Sequence, residues 1–328
     1  MLALLLAAPA AQDDPEKTYG DWVVACDNLN GCEMTSLQPG EQPVPEDDSA
    51  WDASMSVTRA AGPAGGFTVE VWAAAAPSGK VTLRIDDAAI AAAAAGGESV
   101  TFTGADAARI VAAMPNGKAL TLVDGSGKVA ARISLAGSSA SLRHIDANQG
   151  RAGTVTAIVA KGSKPASAVP AAKAPAQIAA LRPSGTPATV SKAMRAGMER
   201  QSECDGLYDG AESVPEVESF ALGGGKTLAL LPCGAGAYNF SSVAFVLAGS
   251  KAVRAVFDDG NDGMLVNAGF DKGVLSSYNK GRGIGDCGGS QTYVWDGTRF
   301  RLTEARVMGE CRGSTNWLAT YRATPVFR

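Results

Sequence analysis

The sequence predicts an α+β protein that is mostly antiparallel β, built as two β-rich domains, each with one or two short helices and stapled by disulfides. Short alternating segments, separated by Gly, Asn and Asp turns, recur along its 328 residues, as is typical of antiparallel strands. Helical periodicity is confined to a few short stretches. A Pro- and Ala-rich segment divides the chain into two parts.

The N-terminus has the pattern of a signal peptide over residues 1–11. Leu2–Leu6 form a short apolar stretch, and Ala8-Pro9-Ala10 has the small-x-small form of a cleavage site. The segment is short and has no basic residue before its apolar stretch, so the alternative is an apolar N-terminal tail. With a signal peptide, the protein is expected in the periplasm of a Gram-negative bacterium.

The N-terminal β-rich domain is predicted over residues 12–160. A helix is expected over Asp106–Met114, where Ile110, Val111 and Met114 share one face, and another from Ser138 or Ser139 to Asn148. The Ala-rich run Ala88–Ala95 stays undecided between helix and strand. The predicted strands are Trp22–Cys26, Cys32–Leu37, Ser54–Arg59, Phe67–Trp72, Lys80–Ile85, Ser99–Phe102, Ala119–Leu122 and Lys128–Leu135.

Residues 161–189 carry five prolines and few large apolar residues, which predicts a semi-extended linker. It separates halves of opposite charge. Residues 1–160 have 10 Lys/Arg and 18 Asp/Glu, net −8; residues 161–328 have 19 and 15, net +4. This asymmetry favours docking of the two halves, although solvated charges alone contribute little.

The C-terminal domain, residues 190–328, is predicted as antiparallel β with one opening helix near Ser191–Glu203. Turn signals every eight to twelve residues indicate a sandwich or barrel-like arrangement. The predicted strands are Ser219–Leu222, Lys226–Pro232, Val243–Ala248, Ala252–Phe257, Met264–Phe270, Gly273–Ser277, Gln291–Trp295, Arg299–Val307 and Asn316–Ala323.

Six cysteines allow 15 complete pairings, and the local pattern selects one of them. Cys26 and Cys32 face each other across a predicted hairpin, and Cys287 and Cys311 lie at the open end of another. Elimination pairs Cys204 with Cys233. Zinc is disfavoured because the chain has no C-x-x-C pair and one remote histidine. Three disulfides imply an oxidising compartment.

Composition excludes several classes of function. A net charge of −4 with 19% charged residues argues against a nucleic-acid binder. No apolar run reaches the ~18 residues of a membrane-spanning helix. Chemistry that needs two imidazoles is excluded because His144 is the only histidine, and His144 itself is expected on a helix surface. We therefore predict no metal and no cofactor.

Several distinctive motifs occur along almost the whole chain. They are Gly20-Asp21-Trp22, Cys26-Asp27-Asn28, Ser134–Gly137, Asp146 with Gln149-Gly150-Arg151, Gly236–Asn239, Leu275–Gly288, Trp295-Asp296-Gly297 and Cys311-Arg312-Gly313. Together these motifs resemble the bacterial family called domain of unknown function 1176. The opening Tyr19–Trp22 and Cys26 is also similar to the invasion-associated locus B proteins. The resemblance implies an exported protein of unassigned activity, and it brings no catalytic residues.

The strongest candidate site is the Gly-rich segment Lys280–Cys287. Alternate glycines expose backbone N–H groups, and Lys280 and Arg282 flank them, which suits an anionic group. The alternative is a tight turn in which Arg282 and Asp286 pair with each other. The extended binding surface predicted from this segment and its neighbouring hairpin consists of Lys280, Arg282, Asp286, Arg299, Arg301 and Arg312.

Three functions compete on these grounds. The favoured one is a non-catalytic binding or interaction protein of the cell envelope, whose partner is an unknown envelope protein or an anionic envelope component. The second is an envelope hydrolase that uses carboxylates such as Asp286 and Glu310. The third is a module that binds anionic wall or lipopolysaccharide groups. The acidic loop Asp258–Gly263 is interpreted as a hairpin turn rather than a calcium site, because it departs from the EF-hand pattern.

Overall fold

A computed structural model describes residues 15–40, 49–204, 207–208 and 211–328. Antiparallel strands dominate, and the described residues contain three short α-helices, so the predicted fold class is confirmed. The predicted signal peptide, residues 1–11, and the predicted start of the first domain at Gln12 lie outside the described residues. No helix among the described residues is long and apolar enough to cross a membrane.

The N-terminal half contains ten strands and two helices among its described residues. They are β1 (Glu16–Tyr19), β2 (Trp22–Cys26), β3 (Cys32–Ser36), β4 (Ala53–Arg59), β5 (Phe67–Ala73), β6 (Ser78–Ile85), β7 (Ala88–Gly96), β8 (Ser99–Thr103), α1 (Gly104–Ala113), β9 (Ala119–Val123), β10 (Val129–Ser134) and α2 (Ser138–Asn148). Sheet I has the order β1-β2-β3-β4-β5-β8, and sheet II has the order β10-β9-β6-β7.

One hydrophobic core serves both sheets and both helices of this half. Alternation along the strands sends Trp22 of β2, Val57 of β4 and Leu83 of β6 into it, all with no exposed surface. Ile110 of α1 and Ile145 of α2 close the core at helical spacing. Both helices therefore lie where the apolar periodicity predicts them.

Two local features fix the first hairpin and its contact with α2. The Asp27 carboxylate accepts the N–H groups of Leu29 and Gly31, at 2.9 and 2.8 Å, which stabilises the β2–β3 turn. Gly137, with φ +95°, precedes α2 where β1 passes closely. A Cβ there would lie 1.7 Å from the carbonyl oxygen of Tyr19, so only glycine fits.

The Ala-rich run that the sequence leaves undecided is strand β7. It pairs antiparallel with β6 along its length, and α1 packs beside it. Eight residues are too few for a self-supporting helix, and pairing with β6 supplies the backbone hydrogen bonds that these residues need.

The segment between the halves is largely exposed but contains one strand that the sequence analysis does not predict. Strand β11 (Gln177–Ala180) pairs in parallel with the last strand, β22 (Thr324–Phe327), which is also unpredicted. Ile178 and Ala180 are buried against Val294. Part of residues 161–189 therefore packs on the C-terminal half.

The remaining elements of the C-terminal half are one helix and ten strands among its described residues. They are α3 (Lys192–Ser202), β12 (Glu218–Gly223), β13 (Lys226–Ala235), β14 (Phe240–Ala248), β15 (Lys251–Arg254), β16 (Met264–Val266), β17 (Gly269–Asp271), β18 (Val274–Lys280), β19 (Gly288–Trp295), β20 (Phe300–Met308) and β21 (Leu318–Arg322). Sheet III has the order β12-β13-β14-β15, with β16 also on β14; sheet IV runs in order from β17 to β21.

Sheets III and IV pack face to face as a sandwich. Tyr293, Trp295 and Phe300 of sheet IV lie against Leu228 and Leu265 of sheet III. Helix α3 covers the other face of sheet III through Met198. The predicted strand Met264–Phe270 is wrong as one element: Asn267, at φ +45°, breaks it into β16 and β17, which belong to different sheets.

The three predicted disulfides, Cys26–Cys32, Cys204–Cys233 and Cys287–Cys311, are all confirmed. The first pair occupies opposite register positions of β2 and β3. The second joins the end of α3 to β13, and the third closes the open end of the β19–β20 hairpin. Three disulfides indicate an exported protein that folds in an oxidising compartment.

The two halves meet at an apolar contact, which we call the junction. Val23 and Leu37 of the N-terminal half pack against Cys287, Met308 and Leu318 of the C-terminal half. All five are almost fully buried. Because sheet I uses its other face for its own core, this contact gives its outer face a second buried area.

Ion pairs surround this apolar contact, with every carboxylate in the N-terminal half and every guanidinium in the C-terminal half. Arg306 binds Glu33 at 3.2 Å and Arg312 binds Asp21 at 2.5 Å. Arg322 binds Asp27 at 3.2 Å and also contacts Glu33. The opposite net charges of the halves are therefore concentrated in direct contacts across the junction.

A buried polar network orders the loops that follow α2. Asp146, with no exposed surface, binds Arg59 at 3.0 Å and accepts the backbone N–H groups of residues 158–160. Arg151, also fully buried, donates to Gln149 at 2.7 Å. Burial and the nearby Arg151 lower the pKa of Arg59 to about 10. The fold of this region depends on the Asp146 carboxylate.

We expect Asp146→Ala to destabilise the protein by about 3–5 kcal/mol, because it leaves the buried Arg59 charge without its partner. The measurement is the free energy of unfolding in urea. The matched control is Asp106→Ala, which breaks an exposed ion pair with Arg109 and should cost less than about 1 kcal/mol. Equal effects of the two substitutions would contradict this role for Asp146.

Candidate functional site

The loop from Gly281 to Cys287 connects β18 to β19 and forms a narrow, protruding hairpin end. Its base closes through a hydrogen bond from the Gly281 N–H to the Cys287 carbonyl, at 2.8 Å. Its tip closes through a bond from the Gly285 N–H to the Arg282 carbonyl, at 3.0 Å. Gly283 and Ile284 are the central residues of this turn, and the Ile284 side chain is 70% exposed.

The Asp286 carboxylate braces this loop from inside. It is 1% exposed, accepts the Arg282 Nε–H at 2.7 Å and accepts the Gly313 N–H at 2.7 Å. The hydrogen bond from Arg282 holds the pKa of Asp286 below its ordinary value. The internal pairing that the sequence offered as an alternative is therefore present, and it ties the loop to the segment after Cys311.

Two further contacts fix the backbone of the loop. The Trp317 indole Nε1–H donates to the Gly285 carbonyl at 3.1 Å. A Cβ at Gly281 would lie 2.6 Å from Cys287 Sγ, so glycine is required beside the disulfide. The loop is consequently held by its own disulfide and by Trp317, which lies between β20 and β21.

The β13–β14 turn packs against the same loop. Tyr238 donates its hydroxyl to the Gly281 carbonyl at 3.1 Å. The Asn239 amide donates to the Lys280 carbonyl at 2.9 Å and accepts the Lys280 N–H at 3.1 Å. Asn267 donates to the Tyr278 carbonyl at 3.1 Å. Two motifs that are 40 residues apart in sequence thus form one rigid surface.

We call the exposed part of this surface the crest, and it consists of Tyr238, Tyr278, Lys280 and Ile284. Tyr238 and Tyr278 are 41% and 42% exposed, although large apolar surfaces are normally buried. Among the described residues, no carboxylate pairs with Lys280. Residues 278–285 contain two cations and no Asp or Glu. The crest is therefore apolar at its tip and cationic at its base.

The sequence analysis finds only the charged part of this surface. Alternation along the strands predicts five aromatic residues as core, namely Trp22, Trp72, Trp295, Phe300 and Trp317. Trp22, Trp295 and Phe300 are buried, whereas Trp72 and Trp317 are partly exposed. Tyr238 and Tyr278 enter there only as motif residues, and Ile284 only as part of the Gly-rich string. The sequence does contain one signal for the tip, because the glycines on either side of Ile284 predict a turn there.

The structure brings only some of the predicted site residues together. Lys280, Arg282 and Asp286 share the loop, whereas Arg299 and Arg301 lie at the opposite end of the β19–β20 hairpin. Gly288 pairs with Met308 at one end and Val294 with Arg301 at the other, a separation of roughly 23 Å at ~3.3 Å per residue. The expectation that all five arginines and lysines form one surface is wrong.

The outlying arginines have partners of their own. Arg301 binds Asp258 at 2.5 Å, and this hydrogen bond raises the pKa of Arg301. Arg299 lies 3.7 Å from Asp296. Arg312 lies near the loop in sequence, yet its guanidinium crosses the junction to Asp21 and to the carbonyls of Gly20 and Gln38. Arg312 is thus an anchor between the halves.

Of the carboxylates considered for catalysis or metal binding, Asp286, Asp258 and Asp259 are engaged by groups of the protein. Both oxygens of Asp286 have donors, an arrangement that suits a brace better than an acid–base role with Glu310. Asp258 holds Arg301, and Asp259 accepts the Tyr293 hydroxyl at 2.8 Å. No group of three or more metal-ligating side chains occurs among the described residues.

His144 lies on α2 next to Tyr19 of β1. The Tyr19 hydroxyl and His144 Nδ1 are 3.3 Å apart. Partial burial, followed by the positive charge of Lys17, lowers the pKa of His144. His144 thus contacts β1 through Tyr19, which is consistent with a structural role.

The fold and this surface define an exported, disulfide-bonded β protein with a rigid, exposed loop surface. The chain belongs to the family of proteins of unknown function called DUF1176, whose model matches residues 16–324. The matched residues include sheets I to IV and the crest.

A curated relative and a solved structure are similar to this chain. The uncharacterized protein YpfG of Escherichia coli K12 is 29% identical over 96% of this chain and 92% of its own length. The crystal structure of invasion associated protein b from Bartonella henselae is 20% identical, with a TM-score of 0.30, over 41% of this chain and 98% of that one.

We expect Asp286→Asn to destabilise the protein at neutral pH by about 1–3 kcal/mol, because it removes the charge that Arg282 binds. A carboxylate with a lowered pKa contributes stability above its ordinary pKa of ~3.9, and this contribution is lost as the pH falls through the folded-state pKa. The difference between wild type and variant should therefore shrink in acid. Urea unfolding at several pH values measures it.

The control for this experiment is Asp271→Asn, since Asp271 is 85% exposed and lies 3.9 Å from Lys272. Its stability should match that of the wild type at every pH. An Asp286→Asn difference that stays constant between neutral and acid pH would show that the Asp286 charge does not brace the loop.

Proposed function

We propose that the protein acts in the periplasm as a non-catalytic binding protein of the cell envelope, with the crest as its contact surface. The observation that carries this proposal is the exposure of Tyr238, Tyr278 and Ile284 on and beside a loop held by a disulfide and by the ion pair of Arg282 with the buried Asp286 carboxylate. Large exposed side chains on a rigid framework are typical of recognition surfaces, since their ordering requires little further entropy.

The charge of the crest indicates an anionic partner. Lys280 has no carboxylate partner among the described residues, and the Arg282 side chain is 46% exposed beside Asp286. A cationic patch on a chain of net charge −4 attracts anions locally although the whole protein is acidic. This combination also favours the anionic wall or lipopolysaccharide groups considered from the sequence.

The periplasmic location is supported by two independent features. Three disulfides need an oxidising compartment. The first 11 residues have the apolar stretch and small-residue site of a signal peptide.

The experiment measures sedimentation of the mature protein with washed cell envelopes, at low and at physiological salt. We expect binding of the wild type that weakens with salt, because exposed charges are screened over ~8 Å at physiological ionic strength. Lys280→Glu should reduce binding at least fivefold, since it reverses the unpaired charge of the crest.

The matched control is Lys272→Glu, which reverses a charge that is 90% exposed beside the β17–β18 turn, at the other end of β18. It should bind as the wild type does. Wild-type protein that stays in the supernatant at low salt, or equal losses in the two variants, would overturn the proposal.

A further inference from the structure

The shape of the crest restricts the partners that it fits. Ile284 is central in the tip turn and protrudes, so the apolar surface is convex. A convex apolar tip needs either a complementary protein groove or a deformable apolar medium. The chemistry of the residues below the tip distinguishes between these two.

The residues around Ile284 combine the chemical groups that suit a layer of anionic lipid headgroups. The aliphatic Ile284 occupies the tip turn, Arg282 begins the same turn, and Tyr238 lies against Gly283. Lys280 and Tyr278 follow behind the turn along β18. Tyrosine rings favour the level of lipid headgroups, and Lys and Arg are attracted to anionic lipids. The exposed segments 278–285 and 234–240 contain no Asp or Glu that would be repelled there.

Hydrogen bonds fix the backbone on both sides of the tip. The Gly285 N–H donates within the turn, and the carbonyls of Gly281 and Gly285 accept from Tyr238 and Trp317. Carbonyl and N–H groups that lack partners are costly in an apolar medium. Insertion is therefore limited to the Ile284 side chain, with the backbone of the tip turn at the level of the polar headgroups.

We infer that the crest docks reversibly on an anionic phospholipid bilayer by inserting Ile284 between headgroups, with Lys280 and Arg282 on the lipid phosphates. This inference rests on the proposed function and names its partner. One inserted side chain with two cations gives weak attachment, because stable anchoring needs several such signals. The docked protein would stand on the membrane with its C-terminal half towards the lipid.

The test is co-sedimentation with vesicles of phosphatidylethanolamine and phosphatidylglycerol, and with vesicles of phosphatidylcholine alone. We expect binding to the anionic vesicles only. Ile284→Ser should lower the partition coefficient about tenfold, because burying an Ile side chain contributes about that factor. Lys280→Gln should lower it about fivefold.

The matched control is Val253→Ser on β15, since Val253 is 58% exposed and lies outside the crest. Its partition coefficient should equal that of the wild type. Circular dichroism and the melting temperature of all three variants should be unchanged, since the side chains are exposed or half-exposed.

Two outcomes would overturn the inference. The first is wild-type protein that fails to bind anionic vesicles at low salt. The second is an Ile284→Ser variant that binds them as well as Val253→Ser does. Crest-dependent binding to whole envelopes without binding to vesicles would leave the proposed function intact and assign the crest to a protein or glycan partner. Loss of both kinds of binding would remove the proposed function as well.

Discussion

Arg312 joins the two halves of the protein at the point where the candidate site begins. Its guanidinium binds Asp21 and two carbonyls of the N-terminal half, while its neighbours Cys311 and Gly313 hold Cys287 and Asp286. Around it, Leu318 and Met308 pack on Val23 and Leu37. The junction thus supports the sheets on one side and the loop on the other.

Most of the free energy that stabilises the junction comes from its buried apolar side chains. Its ion pairs are partly exposed, and such pairs contribute little individually. These ion pairs contribute to selectivity, because Asp21, Asp27 and Glu33 each meet an arginine only in this arrangement of the halves. Apolar burial therefore provides the affinity between the halves, and the opposite charges set their orientation.

The rigidity of the crest follows from this arrangement. The Asp286 brace, the disulfide and Trp317 all connect the loop to residues that contact the N-terminal half. A free Gly-rich loop would lose much conformational entropy on binding. Held by these contacts, the loop presents Ile284 and two tyrosines with most of that cost already met by folding.

Much of this fold can be predicted from the sequence because its signals are local. Alternation predicts β4 and β5, and helical spacing predicts α1. Two predicted hairpins bring two pairs of cysteines together, and the two remaining cysteines form the third pair. The strands that escape, β1, β11 and β22, are each four residues long, and β11 and β22 pair with each other across more than 140 residues of sequence. A four-residue pattern carries too little periodicity to show such pairing.

The candidate site is harder to predict, because it depends on contacts between distant segments. Arg299 and Arg301 are close in sequence to the same hairpin as Cys287, yet the length of β19 and β20 places them far from Lys280. Tyr238 meets Gly281 only because sheets III and IV pack face to face. Residue types thus indicate the charge of the crest, whereas its apolar tip depends on tertiary structure.

Differential scanning calorimetry of the wild type and of Glu33→Lys tests the central claim, that the junction makes the two halves one cooperative unit. Glu33 binds both Arg306 and Arg322, so its reversal places like charges in contact. Glu33 and Glu70 both line a cleft of 340 Å³ beside the junction. Glu70→Lys is the control, since Glu70 is exposed and forms no ion pair with an arginine of the described residues. We expect a single transition for wild type and control, and two separated transitions for Glu33→Lys. Two independent transitions in the wild type would contradict the account.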